Sequence, residues 1–191
     1  MIEIMRNAFK RKLRRLARRV SPRRFARHQR GAVAVEFGLI LLPFLALMFG
    51  IMETALVFFA DQTLETAVAD SARLIMTGQA QTQNLNATTF KNAVCARIYG
   101  LFDCQAGVYV NVQTYSSFGS ITYTPPLDNN GNLQTSNFVY QPGGPGDIVV
   151  VQLFYQWPIY VSLMNLNKLS NMSGNKRLLV ATAAFRNEPY N

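Results

Sequence analysis

Histidine is nearly absent from this 191-residue chain, and its scarcity narrows the chemistry available. The one histidine, His28, lies near the N-terminus, so the rest of the chain has neither a His-based catalytic triad nor a histidine zinc ligand. The sequence also lacks a phosphate-binding loop and a dinucleotide-binding glycine fingerprint. No carboxylates cluster along the sequence, although folding could still bring a pair together. We therefore expect a structural or assembly protein, with no enzyme activity, metal or cofactor.

Acidic residues are scarce where basic residues are concentrated. Residues 1–30 hold twelve Lys and Arg against a single acid, whereas residues 32–191 hold seven basic and nine acidic residues. The formal net charge of +9 therefore belongs to the N-terminal leader. A basic block can be a nucleic-acid arm. Beside a membrane span it is better explained as a topology signal, because Lys and Arg near a span stay in the cytoplasm. We adopt the second interpretation and expect no nucleic-acid partner.

Charge is missing altogether from Phe37 to Met52. A bilayer core about 30 Å thick needs roughly 20 apolar residues in a helix. Such a segment is helical because its backbone polar groups have no water to bond in hydrocarbon. We predict a transmembrane helix over residues 32–60 and an extension of it outside the membrane over residues 61–78, ended by Gly78.

Two acids flank the uncharged run, Glu36 and Glu53. At 1.5 Å per residue they lie about 25 Å apart along the helix, which places Glu53 near the far headgroups, where it needs little special explanation. Glu36 is different, since a carboxylate within a membrane helix costs roughly 2.5–3.5 kcal/mol at the centre and less near an interface. Glu36 could start the helix, where the dipole favours negative charge. Alternatively, it neutralises a positive group beside it, such as the amine of Ala32 after a cut following Gly31.

The spacing around Gly31 carries a family resemblance. This glycine ends a basic leader, four residues separate it from Glu36-Phe37, and the apolar run follows. The arrangement resembles the processing site of type IV prepilins, in the short form used by Flp/Tad pili. The resemblance implies that a prepilin peptidase cleaves between Gly31 and Ala32, so that residues 1–31 are a removable leader. It also implies that Glu36, Phe37 and Glu53 are assembly contacts.

Further segments are similar to TadE-like minor pilins. Gly50-Ile51-Met52-Glu53, Gln62-Thr63-Leu64 and residues 67–73 resemble the core of that family, and residues 179–189 resemble its end. One departure follows Glu53, where Thr54-Ala55 stand in place of the glycine and arginine of many relatives. The resemblance implies three kinds of partner besides the peptidase: other minor pilins, the major Flp pilin and an inner-membrane assembly platform. It implies a single-pass protein of the bacterial inner membrane, with a cytoplasmic N-terminus and a periplasmic C-terminal domain.

Cysteine is almost as rare as histidine. Cys95 and Cys104 are the only two, nine residues apart. If the basic leader holds the N-terminus inside, both lie on the oxidising side of the membrane, where a disulfide is favoured. Closing so short a loop stabilises the fold by about 2–3 kcal/mol in the chain-entropy model. The alternative is two free buried thiols, and we expect the disulfide.

Residues 79–191 have the pattern of a small α+β domain. Residues 79–88 are polar and without periodicity, which predicts a loop. Thr88 or Thr89 would then begin a short helix, whose apolar residues recur at three- and four-residue intervals. Those apolar residues are Phe90, Val94, Cys95, Ile98 and Leu101.

Three strands are predicted after this helix. The first follows Gly107, where valines alternate with Tyr, Asn and Gln. The second covers Asp147–Tyr155, which Trp157-Pro158 either ends or marks as an edge strand, and the third covers Lys176–Arg186. Three strands with a helix on one face make a small antiparallel-sheet domain, and we expect the long helix to supply the covering layer.

Turn-forming residues dominate the connection between the first two strands, residues 116–146. Asp128, Asn130 and Asn132 faintly resemble a calcium-binding loop, but no glutamate follows at its twelfth position. We therefore predict no metal site there.

Two functions remain open at this stage. The first is a TadE-like minor pilin, or pseudopilin, that helps initiate or assemble a Flp/Tad pilus, with roles in adhesion and biofilm implied by the resemblance. The second is an unprocessed, membrane-anchored periplasmic binding module. Glu36 separates them, because an unprocessed anchor has no reason to place an acid inside its apolar run.

Overall fold

The computed structural model describes residues 29–98, 100, 103–160 and 169–190. The chain divides into two compact units, Met1–Phe49 and Gly50–Asn191. The leader as far as residue 28, and Leu101 of the predicted short helix, lie outside the described residues.

A single long helix, α1, runs from Gln29 to Met76. The sequence predicts this helix, its length and its end. Gly78 has a φ of 76°, a left-handed conformation that glycine adopts at little cost, and its N–H donates to the carbonyl of Ile75 at 3.0 Å. The predicted division of the helix into residues 32–60 and 61–78 at a membrane surface stays a prediction.

Three short helices follow α1, and two of them correct the sequence analysis. Residues 79–88 are not all loop, because α2 spans Gln79–Thr82. Its single turn is held by tertiary contacts, with Ala80 buried and the Gln81 amide donating to the carbonyl of Pro142 at 2.9 Å. Helix α3 spans Ala87–Cys95, and α4 spans Cys104–Gly107.

The start of α3 lies earlier than the predicted caps, Thr88 and Thr89. Asn86 is the N-cap, and its side chain accepts from the backbone N–H of Thr89 at 2.9 Å. The Thr89 hydroxyl in turn accepts from the N–H of Asn86 at 2.8 Å, which completes a capping box. Asparagine and threonine are both good capping residues, so the sequence pattern alone did not separate them.

Three antiparallel strands form one sheet in the order β1-β2-β3. Strand β1 is Val108–Tyr115, β2 is Ile148–Pro158, and β3 is Lys176–Arg186. The third strand has its predicted bounds, and β2 ends at Trp157-Pro158 as predicted, with these two residues paired to Arg177 and Lys176. The connection between β1 and β2 is irregular apart from a 3₁₀ turn, Phe118–Ser120. The fold is therefore α+β, as predicted.

The core lies between one face of the sheet and the second half of α1. From the helix, buried apolar side chains recur every three or four residues, and they are mostly small. The helical members are Val57, Ala60, Leu64, Ala67, Val68, Ala72 and Ile75. The strand members are Val108, Val112, Val149, Val151, Leu153, Trp157, Leu179 and Ala181. The long helix thus supplies the predicted covering layer.

Two hydrogen bonds align this part of α1 with the sheet. At one end, the Glu53 carboxylate accepts from the N–H of Tyr160, two residues beyond β2. At the other end, the carbonyl of Met76 accepts from the N–H of Glu188 at 2.8 Å, two residues beyond β3. The helix from residue 53 to residue 76 is about 34 Å long. An eleven-residue strand such as β2 spans about 33 Å between its first and last residues, so the two elements match in length.

Candidate functional site

The residues predicted for processing lie in the first turns of α1. Gly31 is half-buried, whereas Glu36 and Phe37 are exposed. Ala32 is helical, but its side chain lies outside the described residues. Cleavage between Gly31 and Ala32, and the assembly contacts of Glu36 and Phe37, stay predictions.

Large apolar side chains are exposed along α1 before Glu53. They occur on every side of the helix, so no single stripe faces a protein core. These residues are Val33, Val35, Phe37, Leu39, Ile40, Leu42, Phe44, Leu47, Met48, Phe49, Ile51 and Met52. The helix is long and apolar enough to cross a membrane. It suggests a membrane anchor, since a continuous exposed apolar surface of this kind marks contact with lipid or with other protein.

Glu53 has a different environment from the one the sequence suggests. Only 6% of this residue is exposed, and its carboxylate accepts a hydrogen bond from the backbone N–H of Tyr160. A buried carboxylate needs such partners because desolvation penalises the charged form. The expectation that Glu53 needs little special explanation is therefore wrong, because this carboxylate is buried and has a specific hydrogen-bond donor. Hydrophobic periodicity gave no sign of it, because the partner is a backbone group 107 residues away. Its role as an assembly contact stays a prediction.

The predicted disulfide between Cys95 and Cys104 is present, with a Cα–Cα distance of 5.6 Å. The bond joins the last residue of α3 to the first residue of α4. Lys91 and Gln105 connect the same two helices, since the Lys91 ammonium donates to the Gln105 carbonyl at 2.9 Å. The alternative of two free thiols is wrong.

Polar side chains at the end of β3 and directly after it bind backbone carbonyls of residues 142–146. The Asn187 amide donates to the carbonyls of Pro142 and Gly144, both at 2.9 Å. The Arg186 guanidinium donates to the carbonyl of Gly146 at 2.8 Å, and the Tyr190 hydroxyl donates to that of Gly143 at 3.3 Å. These polar side chains hold the turn that precedes β2.

A cleft of about 400 Å³ opens on the sheet face opposite α1, under the connection between β1 and β2. Phe138 covers part of this face and stacks on Phe154, with ring centroids 4.9 Å apart. Asn111 is buried and fixes the connection to the sheet. Its side-chain oxygen accepts from the N–H of Val139 at 3.0 Å, and its amide donates to Gln152 at 3.1 Å.

The lining of this cleft contains amides, hydroxyls and aromatic rings but no charged side chain. The residues are Asn111, Gln113, Tyr115, Thr122, Tyr123, Thr124, Pro125, Pro126, Leu127, Gln134, Asn137, Phe138, Gln152 and Phe154. Burial raises the pKa of Tyr123 above its usual value, which moves the loss of its hydroxyl proton further into the alkaline range. Amides beside aromatic rings suit a neutral polar ligand.

The faint calcium-loop pattern at Asp128 is a turn stabilised by its own backbone. The Asp128 carboxylate accepts from the N–H groups of Asn132 and Asn130, both at 2.8 Å. Hydrogen bonding, above all from Asn132, holds the pKa of Asp128 below its usual value. Across residues 29–98, 103–160 and 169–190, no three His, Cys, Asp or Glu side chains converge as a metal site would require.

Comparison with protein families and with known proteins gives different results for this chain. No curated protein and no solved structure matches the chain. The similarity noted for residues 179–189 lies outside the part that does match. A family described as TadE-like protein matches residues 31–73, a range that contains the predicted cleavage site, the exposed apolar stretch of α1 and both Glu36 and Glu53. On this match, the chain carries a TadE-like segment over residues 31–73.

Proposed function

We propose that this chain is a minor pilin, or pseudopilin, that assists the initiation or assembly of a Flp/Tad-type pilus. The family match over residues 31–73 carries this proposal, because it falls on the helix that pilins use for membrane anchoring and assembly. The TadE-like family is associated with Tad pili, and its members are not known as enzymes. The proposed role is accordingly structural, with downstream effects on adhesion and biofilm.

The proposed topology follows from the charge asymmetry. Twelve basic residues precede the apolar run, and they would keep the N-terminus in the cytoplasm. Residues 62–191 would then lie in the periplasm. The disulfide supports this side for the domain, because disulfides persist in oxidising compartments. A reporter enzyme that is fused after Asn191 and active only in the cytoplasm would contradict the topology.

Cleavage would prepare α1 for assembly. A prepilin peptidase cuts between Gly31 and Ala32 and leaves a free amine on Ala32, four residues before Glu36. Between neighbouring subunits, the amine of one chain meets the carboxylate of the next and sets their axial offset. Glu36 is exposed on α1 and therefore open to such a contact. Removing one partner of a truly buried ion pair costs about 3–5 kcal/mol, because the other charge is left uncompensated.

N-terminal sequencing of the membrane form tests the processing step. In cells that contain the peptidase, the mature chain should begin at Ala32. The substitution Gly31→Val should block cleavage, because a branched side chain beside the scissile bond no longer fits a tight pocket. Gly38→Val is the matched control, since Gly38 lies seven residues further along the same helix with nothing within 4 Å of its Cβ position. A parent chain that still begins at Met1 in these cells would show that the processing hypothesis is wrong.

The assembly step is tested with Glu36→Gln. We expect normal cleavage and membrane insertion but weaker co-purification with the major and minor pilins and fewer surface pili. Glu65→Gln is the matched control, because Glu65 is an exposed acid of the same helix outside the apolar stretch. Glu53→Gln should affect pilin association less than Glu36→Gln does. Should Glu36→Gln assemble like the parent, the carboxylate only starts the helix.

The uncharged cleft favours a second candidate, a membrane-anchored periplasmic binding module. A cavity of about 400 Å³ is within the size range of small-molecule sites. This candidate predicts a mature chain that begins at Met1 and saturable binding of a neutral oligosaccharide, weakened by Gln113→Ala. A chain that begins at Ala32 and co-purifies with pilins would favour the first candidate.

A further inference from the structure

Three exposed aromatic side chains lie near Glu53, the residue of α1 that is hydrogen-bonded to the chain just beyond β2. Phe58 and Phe59 of α1 are 70% and 59% exposed, and Tyr160, beyond β2, is 80% exposed. We call these three residues the aromatic rim. We propose that the aromatic rim is a lipid-contacting surface that seats the domain on the interfacial region of a phospholipid bilayer.

The first argument is the position of the rim along the chain. The uncharged run ends at Met52, and the next residue, Glu53, is hydrogen-bonded to the N–H of Tyr160. Tyr160 therefore lies beside the residue that directly follows the uncharged run. Phe58 and Phe59 follow Glu53 by about 8–9 Å along the helix, which is close to the thickness of one headgroup layer, about 5–8 Å. The rim thus continues the exposed apolar surface of α1.

The second argument is chemical. Aromatic side chains are enriched at both surfaces of a membrane, where an apolar ring meets lipid and a polar tip meets water. The hydroxyl of Tyr160 suits it to this environment. Exposed in water, the two phenylalanines would be an unfavourable apolar surface next to one another in sequence. Contact with lipid removes that surface from water.

The third argument is the treatment of the nearby charge. A carboxylate presented to hydrocarbon is costly, yet Glu53 lies directly after the apolar run. Only 6% of Glu53 is exposed, and its carboxylate accepts a hydrogen bond from the backbone N–H of Tyr160, whose ring is exposed. The hydrogen bond therefore removes Glu53 from the lipid and holds Tyr160 at the same level.

The register of the sheet supplies a matched control. Phe118 is another exposed aromatic residue, 54% exposed, and it follows the end of β1. Tyr115 of β1 pairs with Ile148, the first residue of β2, whereas Tyr160 follows Pro158, the last residue of β2. Phe118 and Tyr160 therefore lie at opposite ends of the sheet, which are about 33 Å apart along β2. A seated domain brings Tyr160 to the bilayer and keeps Phe118 away from it.

The experiment uses photochemical crosslinking in the full-length chain. The photoreactive residue p-benzoylphenylalanine replaces Tyr160, Phe59 or Phe118, one position at a time. Each protein is reconstituted into vesicles of phosphatidylethanolamine and phosphatidylglycerol, irradiated and examined by mass spectrometry. Tyr160 and Phe118 are both largely exposed, so neither replacement disturbs the core.

We expect phospholipid adducts at positions 160 and 59 and at least tenfold fewer at position 118. The adducts at position 160 are the decisive test of the proposal, because Phe59 falls within the predicted span of residues 32–60 and would contact lipid in any case. Equal lipid labelling at positions 160 and 118 would overturn the proposal, as would adducts at position 160 with a second copy of the chain instead of lipid. The inference depends on the membrane anchor and not on pilus assembly, so it can fail while the proposed function stands, and the reverse also holds.

Discussion

Reduction of the Cys95–Cys104 disulfide should destabilise the outer domain by an amount that the loop length determines. The two cysteines are nine residues apart, so the bond removes the closure entropy of a short loop from the unfolded chain. The chain-entropy model gives about 2–3 kcal/mol for such a loop. The folded geometry should survive, because the hydrogen bonds from Lys91 to Gln105 and from Gln105 to Asn92 also join α3 to α4.

Thermal unfolding of the detergent-solubilised chain measures this loss. For a domain of this size, 1 kcal/mol shifts Tm by about 2–4 °C, so reduction should lower Tm by roughly 5–10 °C. Reduction is a cleaner perturbation than substitution, because Cys104 is buried and Cys104→Ala also removes packed atoms. Cys95→Ala should lose about as much stability as reduction does, whereas Cys104→Ala and the double variant should lose more, because they also remove packed atoms.

Two results would refute this reasoning. A reductant that leaves the Tm of the parent unchanged would show that the bond contributes nothing to the folded state. Labelling of both cysteines by a membrane-impermeant thiol reagent without prior reduction would show that the bond does not form in the cell. The double variant Cys95→Ala/Cys104→Ala is the control, because reductant should not change its Tm.

Three further predictions concern single side chains of the domain. Burial raises the pKa of Tyr140 to about 12, so stability should be full below pH 10 and fall as the pH rises towards 12; Tyr140→Phe should reduce this loss in denaturant titrations across that range. Gly78→Ala should destabilise the fold by more than the roughly 1–2 kcal/mol cost of a left-handed backbone, because the new Cβ would overlap the Tyr190 ring. Gly174→Ala has an open Cβ position and should show only the backbone cost in thermal unfolding. Glu53→Leu should cost about 1–3 kcal/mol in urea unfolding by leaving the Tyr160 N–H without its acceptor, and Glu53→Gln should cost less because its amide keeps an oxygen there. Equal losses in either matched pair would contradict the stated cause.

The elements that could be predicted from the sequence are those with a local signal. Helix α1 has both an apolar composition and a glycine stop at Gly78, and β3 is a continuous run of branched and small residues. The disulfide was predictable because the chain has only two cysteines and their separation allows a bond.

The features that the sequence did not predict depend on tertiary partners. Helix α2 has no apolar periodicity, and it forms where Gln81 reaches the carbonyl of Pro142. The burial of Glu53 depends on Tyr160, far along the chain.

The residues of the proposed processing and assembly site could be predicted from the sequence, but their contacts could not. The spacing of the sequence predicts Gly31, Ala32, Glu36 and Phe37 as site residues, and the family match covers all four. Their proposed contacts are with a second subunit or a peptidase. A single chain can place them on a helix and no more. The aromatic rim had no sequence signature, since Phe58 and Phe59 could equally be part of an apolar span, and only the hydrogen bond to Glu53 brings Tyr160 to the same level.

The change in burial along α1 limits how neighbouring subunits could pack on it. Before Glu53, apolar side chains are exposed on all sides, so lipid or other helices can contact the whole circumference. From Glu53 onward, one face is covered by the sheet and only the remainder is open. Thr66 and Arg73 lie on that open face, and both are exposed. Helix contacts before Glu53 can therefore form in any rotational setting, whereas contacts after it are restricted to one side. In the proposed pilus, a subunit that packs through both parts of α1 would have its orientation fixed by the part after Glu53, and its axial position would be left to groups such as Glu36.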